Sequence, residues 1–349
     1  MFNINDLIRE NIKKLIPYSS ARDDFQGTAS IFLDANENSF GSPLVKWYNR
    51  YPDPHQLKMK QKLSEIKGLP VSSIFLGNGS DECIDILIRA FCEPGIDNIV
   101  ICPPTYGMYE VSAAINNVAV KKVQLTSSFQ LDLRAIEEAV DDYTKLIFIC
   151  SPNNPTGNSL NREDVEALLN NYFGIVVIDE AYINFSRYRS FTLELAEYPN
   201  LVVMQTLSKA WGLAALRVGM AFGSEDIISV MSRIKPPYNI NQASQDLALQ
   251  ALEKVEEVNE MIREIVKERK ELEIKLPTLR AVKKVYESDA NFLLVEVTDA
   301  GALYRYLLEK GIVVRDRSKV ELCQGCLRIT VGTPEENNNL LKAIDAFPV

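Results

Sequence analysis

The strongest constraint on the fold is a rhythm in the sequence. From about residue 70 to residue 222, short runs rich in β-branched residues alternate with stretches whose apolar residues recur at helical spacing. Residues 99–102, 119–125, 146–150, 175–178, 201–204 and 218–222 read as strands. Between them, 81–91 sets Ile84, Leu87, Ile88 and Phe91 on one helix face, and 162–172 does so with Val165, Leu168 and Leu169. Near-continuous apolar strands are buried on both faces, so the pattern predicts an α/β fold: a large domain with a mostly parallel central sheet flanked by helices. At 349 residues the chain also exceeds the size at which one core stops growing. Strand-like runs at 290–297, 311–315 and 326–331, with a helical 303–310 between two of them, predict a smaller α+β domain. Residues 242–276 form a charged helical stretch with too few Gly or Pro to interrupt it, suited to bridge the two. Phe2, Ile4, Leu7, Ile8, Ile12 and Leu15 mark a short amphipathic helix that packs on a neighbour. The expected organisation is an arm over 1–30, a large domain over 31–245, and a bridging helix with a small C-terminal domain over 246–349.

A net charge of −9 leaves no surplus of Lys and Arg to neutralise a nucleic acid or anionic lipid, so anionic substrates must meet local arginines. Six cysteines in a chain this long form no dense disulfide framework, and a reducing compartment suits them best. Cys323 and Cys326 make a C-x-x-C, but no second pair exists and His55 is the only histidine, so two incidental thiols are expected and no metal site. No stretch approaches the apolar length of a membrane span, and the start lacks a signal-peptide core. The expected location is cytoplasmic.

The candidate chemistry gathers at strand ends. Thr206-Leu207-Ser208-Lys209-Ala210-Trp211-Gly212 follows one strand, and a lysine among small and apolar residues is partly desolvated, which frees its amine for Schiff-base chemistry. Alone, the segment fits a snorkelling lysine equally well. Arg217, eight residues on, offers a planar fork for a phosphate. The strand at 175–178 ends in Asp179, either a helix cap or a buried carboxylate that pairs with a pyridinium nitrogen. Cys150-Ser151-Pro152-Asn153-Asn154-Pro155-Thr156-Gly157 closes another strand with an Asn-Pro turn, and Gly77-Asn78-Gly79-Ser80-Asp81 opens a helix whose free N–H groups face an anion.

Taken in order, S-P-N-N-P-T-G, I-D-E-A-Y and T-L-S-K-x-x-G-L-x-x-L-R-V-G resemble the fold-type-I, pyridoxal-phosphate (PLP) dependent aminotransferases. The resemblance runs from Ile16-Pro17-Tyr18 to Leu327-Arg328-Ile329-Thr330-Val331-Gly332. Within that class, D-A-N-E-N, P-P-T-Y-G-M-Y and R-D followed by C-L-R-I-T-V-G are similar to the histidinol-phosphate aminotransferase family.

The resemblance implies PLP as cofactor. It implies that Lys209 carries it covalently and, once displaced by substrate, moves the proton between Cα and the cofactor's C4′. It assigns Asp179 to the pyridine nitrogen, Asn154 and Tyr182 to the phenolic oxygen, Tyr106 to stacking on the ring, and Ser80, Asp81, Thr206, Ser208 and Arg217 to the phosphate. Tyr51 resembles a tyrosine donated across a homodimer interface. Arg328 would bind a carboxylate in one half-reaction and lie near the substrate phosphate in the other. Arg315, Tyr18 and Asn36 complete the substrate pocket, while Arg317 reads as a surface arginine. The implied reaction is transamination of L-histidinol phosphate with 2-oxoglutarate, with an aromatic-amino-acid aminotransferase or a threonine-phosphate decarboxylase-like enzyme as the alternatives. A PLP-binding regulator lacks any DNA-binding extension, and a nicotinamide-dependent dehydrogenase lacks its glycine fingerprint. Ser39, Trp211 and Ala215 depart from the commoner Pro, Phe and Gly of the family, and Trp211 adds bulk beside the lysine.

Overall fold

The computed structural model describes residues 2–17, 31, 33–44 and 48–348. Tyr18 lies outside them. Seven strands build the main sheet: β1 (Ile74–Asn78), β2 (Asn98–Ile101), β3 (Ala119–Lys122), β4 (Thr144–Cys150), β5 (Ile175–Asp179), β6 (Leu201–Thr206) and β7 (Val218–Gly223). Their order is β1-β7-β6-β5-β4-β2-β3; β7 runs antiparallel to both neighbours and the other pairs are parallel. Strands β5, β6 and β7 are buried along their whole length, which is why they read as unbroken apolar runs.

Helices cover the sheet and bury their apolar faces on it. In chain order they are α1 (Glu10–Lys13), α2 (Leu57–Lys67), α3 (Ser80–Phe91), α4 (Met108–Ile115), α5 (Leu133–Ala139), α6 (Arg162–Asn171), α7 (Glu225–Ile234) and α8 (Gln242–Leu252). One core lies on each face of the sheet: Leu76, Val100, Ile147, Ile178 and Val203 on one side, Phe75, Ile99, Phe148, Val177 and Val202 on the other. Then α9 (Val255–Lys275) leads to a four-stranded antiparallel sheet of β8 (Val282–Val285), β9 (Phe292–Val297), β10 (Arg315–Asp316) and β11 (Cys326–Thr330), in the order β10-β11-β9-β8, with α10 (Ala300–Glu309) and α11 (Pro334–Asp345). This smaller sheet has its own core of Leu293, Val295, Leu303, Leu327 and Ile329. The predicted mostly parallel sheet with a smaller α+β companion is the observed architecture.

Several elements differ from expectation. The charged stretch from 242 is two helices, broken at Glu253 and Lys254 without Gly or Pro: α8 buries Ala248 and Leu252 in the main core, whereas α9 buries Leu272 in the small one, so packing turns the chain. The arm is a 3-10 turn (Ile4–Asp6) followed by α1; Ile4, Ile8 and Ile12 join the core beside α3, and Arg9 donates its N–H to Ala90 O. The run at 311–315 reduces to β10, two residues long.

Candidate active site

The C-terminal ends of β1, β2, β4, β5 and β6 share one edge of the sheet, because every parallel neighbour ends there and β7 starts there. A cavity of about 630 Å³ opens at that edge, where α/β sheets bind ligands. Ser80, Asp81, Tyr106, Asn154, Asp179, Tyr182, Thr206, Ser208, Lys209, Arg217, Arg315 and Arg328 all line it.

Each side chain arrives for a local reason. Leu207 continues the β6 ladder by donating its N–H to Val218 O, and the Ser208 N–H caps back onto Thr206 Oγ1 at 3.1 Å, so the chain turns sharply and projects Lys209 over the edge. The Lys209 Nζ lies 5.6 Å from the Tyr182 ring centroid. Desolvation, then the Arg328 guanidinium, holds its pKa below the usual lysine range, while Asp179 opposes them. The amine is thereby biased toward its nucleophilic form.

Asp179 closes β5 and is fully buried. Its Oδ2 accepts from Tyr109 Oη at 2.7 Å and its Oδ1 from the Ala181 N–H at 3.0 Å. Burial raises its pKa, and these two donors pull it back. It is therefore no helix cap. Beside it, Glu180 turns away from the cavity, and its carboxylate accepts from Phe191 N at 2.7 Å and Gln205 Nε2 at 2.9 Å, which fixes the loop behind β5. The loops after β2 and β4 are tied together by buried Asn153, whose Nδ2 donates to Pro104 O at 2.8 Å. Asn154 then faces the cavity, where its Oδ1 accepts from Arg328 Nη1.

An anion cradle forms where β1 meets β7. No side chain caps the first amides of α3. Gly79 adopts φ +81°, and a Cβ there would come within 2.5 Å of Arg217 Nη2; a Cβ on Gly219 of β7 would come within 2.1 Å of the Ser80 amide nitrogen. Both close approaches exist only because these residues are glycines. Arg217 itself has φ +54°, uncommon for a side-chain-bearing residue, and its guanidinium spans Asp81 Oδ2 at 3.4 Å and Ser208 Oγ at 3.4 Å. Tyr106 Oη donates to Asp81 Oδ1 at 3.0 Å. These residues fit the phosphate, ring and ring nitrogen of PLP, with the lysine amine in the same cavity.

Two expected residues stand elsewhere. Asn36 and Tyr51 line a second cavity with Glu37, Arg50 and Tyr238; Tyr51 stacks on Tyr238 at 4.5 Å and is half exposed. A single chain does not bring them to Lys209. Arg317, expected on the surface, instead lines the main cavity. Tyr109 received no role from sequence, although its i+3 spacing from Tyr106 is a helical signal that both rings share a side. Trp211 does not line the cavity; it packs on the cluster of Tyr182, Phe185, Ala210 and Phe292. Cys323 and Cys326 are buried free thiols, pushed up to about 11 and about 12 chiefly by burial. Among the described residues no group of three or more His, Cys, Asp or Glu is placed to hold a metal ion, and no helix is long and apolar enough to cross a membrane.

The fold and this edge define an aminotransferase-type site, and the family described as aminotransferase class I and II matches residues 45–344. The chain is 57% identical over 344 residues to the histidinol-phosphate aminotransferase of Parabacteroides distasonis, covering 99% of each. It superposes with a TM-score of 0.79 on the crystal structure of the histidinol-phosphate aminotransferase from Clostridium acetobutylicum, at 26% identity over 85% of this chain and 90% of that one. The enzyme of that name from Sinorhizobium meliloti, solved in complex with pyridoxal-5'-phosphate, has the same fold at a TM-score of 0.79 and 23% identity, over 89% of each chain. The chain belongs to the histidinol-phosphate aminotransferase family within the class I and II aminotransferases.

Proposed function

We propose that the protein transfers the amino group of L-histidinol phosphate to 2-oxoglutarate, giving imidazole-acetol phosphate and glutamate in histidine biosynthesis. One observation carries this reading: a desolvated lysine amine, a buried carboxylate and arginines from the small sheet share a single cavity. PLP bound there supplies an aldehyde to receive the amino group and a ring that draws electrons from the substrate Cα.

The chain's own residues do the rest. Asp179 keeps a proton on the ring nitrogen, because its buried carboxylate gains a cationic partner only when that nitrogen is protonated. Asn154 and Tyr182 hold the phenolic oxygen, and Tyr106 covers the ring, a contact worth about 0.5–1.5 kcal/mol beyond area burial. The α3 amides at Ser80 and Asp81, with Thr206, Ser208 and Arg217, hold the phosphate. Lys209 anchors the cofactor and then moves the proton between substrate Cα and cofactor C4′. Arg328 takes a carboxylate by its bidentate fork, and Arg315 takes the substrate phosphate. Tyr18 and Asn36 are assigned to substrate.

The enzyme acts as a homodimer in which Tyr51 is donated to the other subunit's cofactor; its exposure and its distance from its own chain's cavity support this. The large domain spans 31–245 and the small one 246–349 with the bridging helix, and the turn at Glu253 and Lys254 supports a hinge close to that boundary. A cytoplasmic location suits six free thiols. Aromatic transamination and decarboxylation are not favoured, since the full-length relative carries the histidinol-phosphate assignment. A coupled assay with histidinol phosphate, phenylalanine and threonine phosphate tests the proposal: histidinol phosphate should give the highest kcat/KM, and a preference for either other amine would overturn it.

A further inference from the structure

The β10–β11 pair sets three arginines on one side of the small sheet. Arg315 stands directly opposite Arg328 in the antiparallel register. The Arg317 N–H donates to Cys326 O at 2.9 Å, which carries the ladder one step further. Side chains alternate along a strand, so Arg317 returns to the face that Arg315 occupies. All three side chains line the Lys209 cavity.

Such a cluster is costly on its own, because like charges opposite one another destabilise a sheet. Asn154 Oδ1 and the Phe292 ring meet Arg328, but neither carries a compensating negative charge. Among the described residues no carboxylate pairs with Arg315, Arg317 or Arg328. Asp316, between the first two, turns to its own loop and accepts the Ser318 N–H at 2.8 Å. The Nε atoms of Arg317 and Arg328 are both buried without a hydrogen-bond partner. Burial, then Arg328 and Arg315, holds the Arg317 pKa below the usual arginine range. Guanidinium groups with buried, unpartnered donors, on three arginines that line one cavity, are arranged for an anion that the protein does not supply.

The chemistry of the two substrates separates the roles. A planar carboxylate is satisfied by one bidentate guanidinium, and Arg328, braced by Asn154, provides it. A phosphate presents three terminal oxygens out of plane and up to two charges, so it uses more forks than a carboxylate can. We infer that Arg317 is a specificity-determining residue of the substrate cavity: with Arg315 it receives the phosphate of the amine substrate and favours that dianion over a carboxylate. This inference rests on the phosphorylated-amine reading above.

The test uses the PLP-loaded holoenzyme and its Arg317→Gln and Arg317→Lys variants. Losing a charge-assisted donor pair should raise KM for histidinol phosphate by about 10- to 100-fold in Arg317→Gln, against a rise of less than about threefold in KM for 2-oxoglutarate. Arg317→Lys, which keeps the charge and loses the fork, should fall between. Equal rises for both substrates, or none for either, would overturn the assignment. Inorganic phosphate titrated calorimetrically into the holoenzyme gives a readout independent of turnover: its affinity should fall at least about tenfold in Arg317→Gln. If wild-type enzyme fails to use histidinol phosphate but phosphate binding still depends on Arg317, the substrate reading fails and the anion site stands. If phosphate binds wild type and Arg317→Gln alike, the anion site itself is refuted.

Discussion

Gly219→Ala offers a sharp test of the proposed hold on the cofactor phosphate. Gly219 sits in β7 between Gly77 of β1 and Thr206 of β6. An added Cβ would lie 2.1 Å from the Ser80 amide nitrogen and 2.3 Å from the Gly79 carbonyl carbon. Ordinary contact begins near 3.4 Å, so the first turn of α3 must retreat by about 1.3 Å. Both clashing groups are backbone, and no rotamer change relieves them. Overpacking of this kind costs about 1–3 kcal/mol of stability. The larger effect falls on the cofactor, because misplacement of about 1 Å in a binding constellation costs on the order of 100-fold. Gly223→Ala, in the same strand, is the control: its Cβ would meet nothing closer than Leu201 O at 3.4 Å. Absorbance titration of both apoproteins with PLP should show affinity falling about 100-fold for Gly219→Ala, roughly 2.7 kcal/mol, and little change for Gly223→Ala. Equal affinities in the two variants would refute the cradle.

Two further outcomes follow from the carboxylate at the end of β5. Tyr109→Phe removes the 2.7 Å hydrogen bond on Asp179, lets burial push that carboxyl higher, and should lower kcat by about 10- to 100-fold in steady-state assays; unchanged kcat would deny Tyr109 any role in positioning Asp179. Because burial raises the Asp179 pKa in the folded state, the folded apoprotein gains stability as pH falls through that raised value and loses it as pH rises. Asp179→Asn apoprotein should therefore melt above wild type at neutral pH, with the gap closing toward the ordinary carboxylate pKa of about 3.9. Thermal melts across that range check it, and a constant or reversed gap would contradict the sign.

Most of the sheet was legible because β5, β6 and β7 are buried on both faces and their apolar runs are unbroken. Strand β1 was not, since Gly77 and Asn78 look like the start of a loop and its partner β7 is far away in sequence. Strand β8 exposes Lys283 and Lys284 on a sheet edge, a composition that local patterning cannot separate from loop. The break between α8 and α9 carries no sequence signal either; it exists because the two helices bury residues in different cores.

At the site, strand ends and motif order point to Lys209, Asp179, Ser80 and Arg217, and the structure brings these four to one cavity. A surface reading of Arg317 overlooks strand alternation: two residues on from Arg315, its side chain shares that face and lines the same cavity. Tyr109 was missed because its role depends on where α4 packs against β5, which no local pattern reports. Asn36 and Tyr51 line a cavity separate from that of Lys209 within one chain, a separation that neither strand ends nor motif order reports.

The most direct test of the central claim is to reduce the PLP-loaded protein with borohydride, digest it, and locate the modified lysine by mass spectrometry. The pyridoxyl group should sit on Lys209 and nowhere else. Its appearance on another lysine, or its absence from every peptide, would contradict the account.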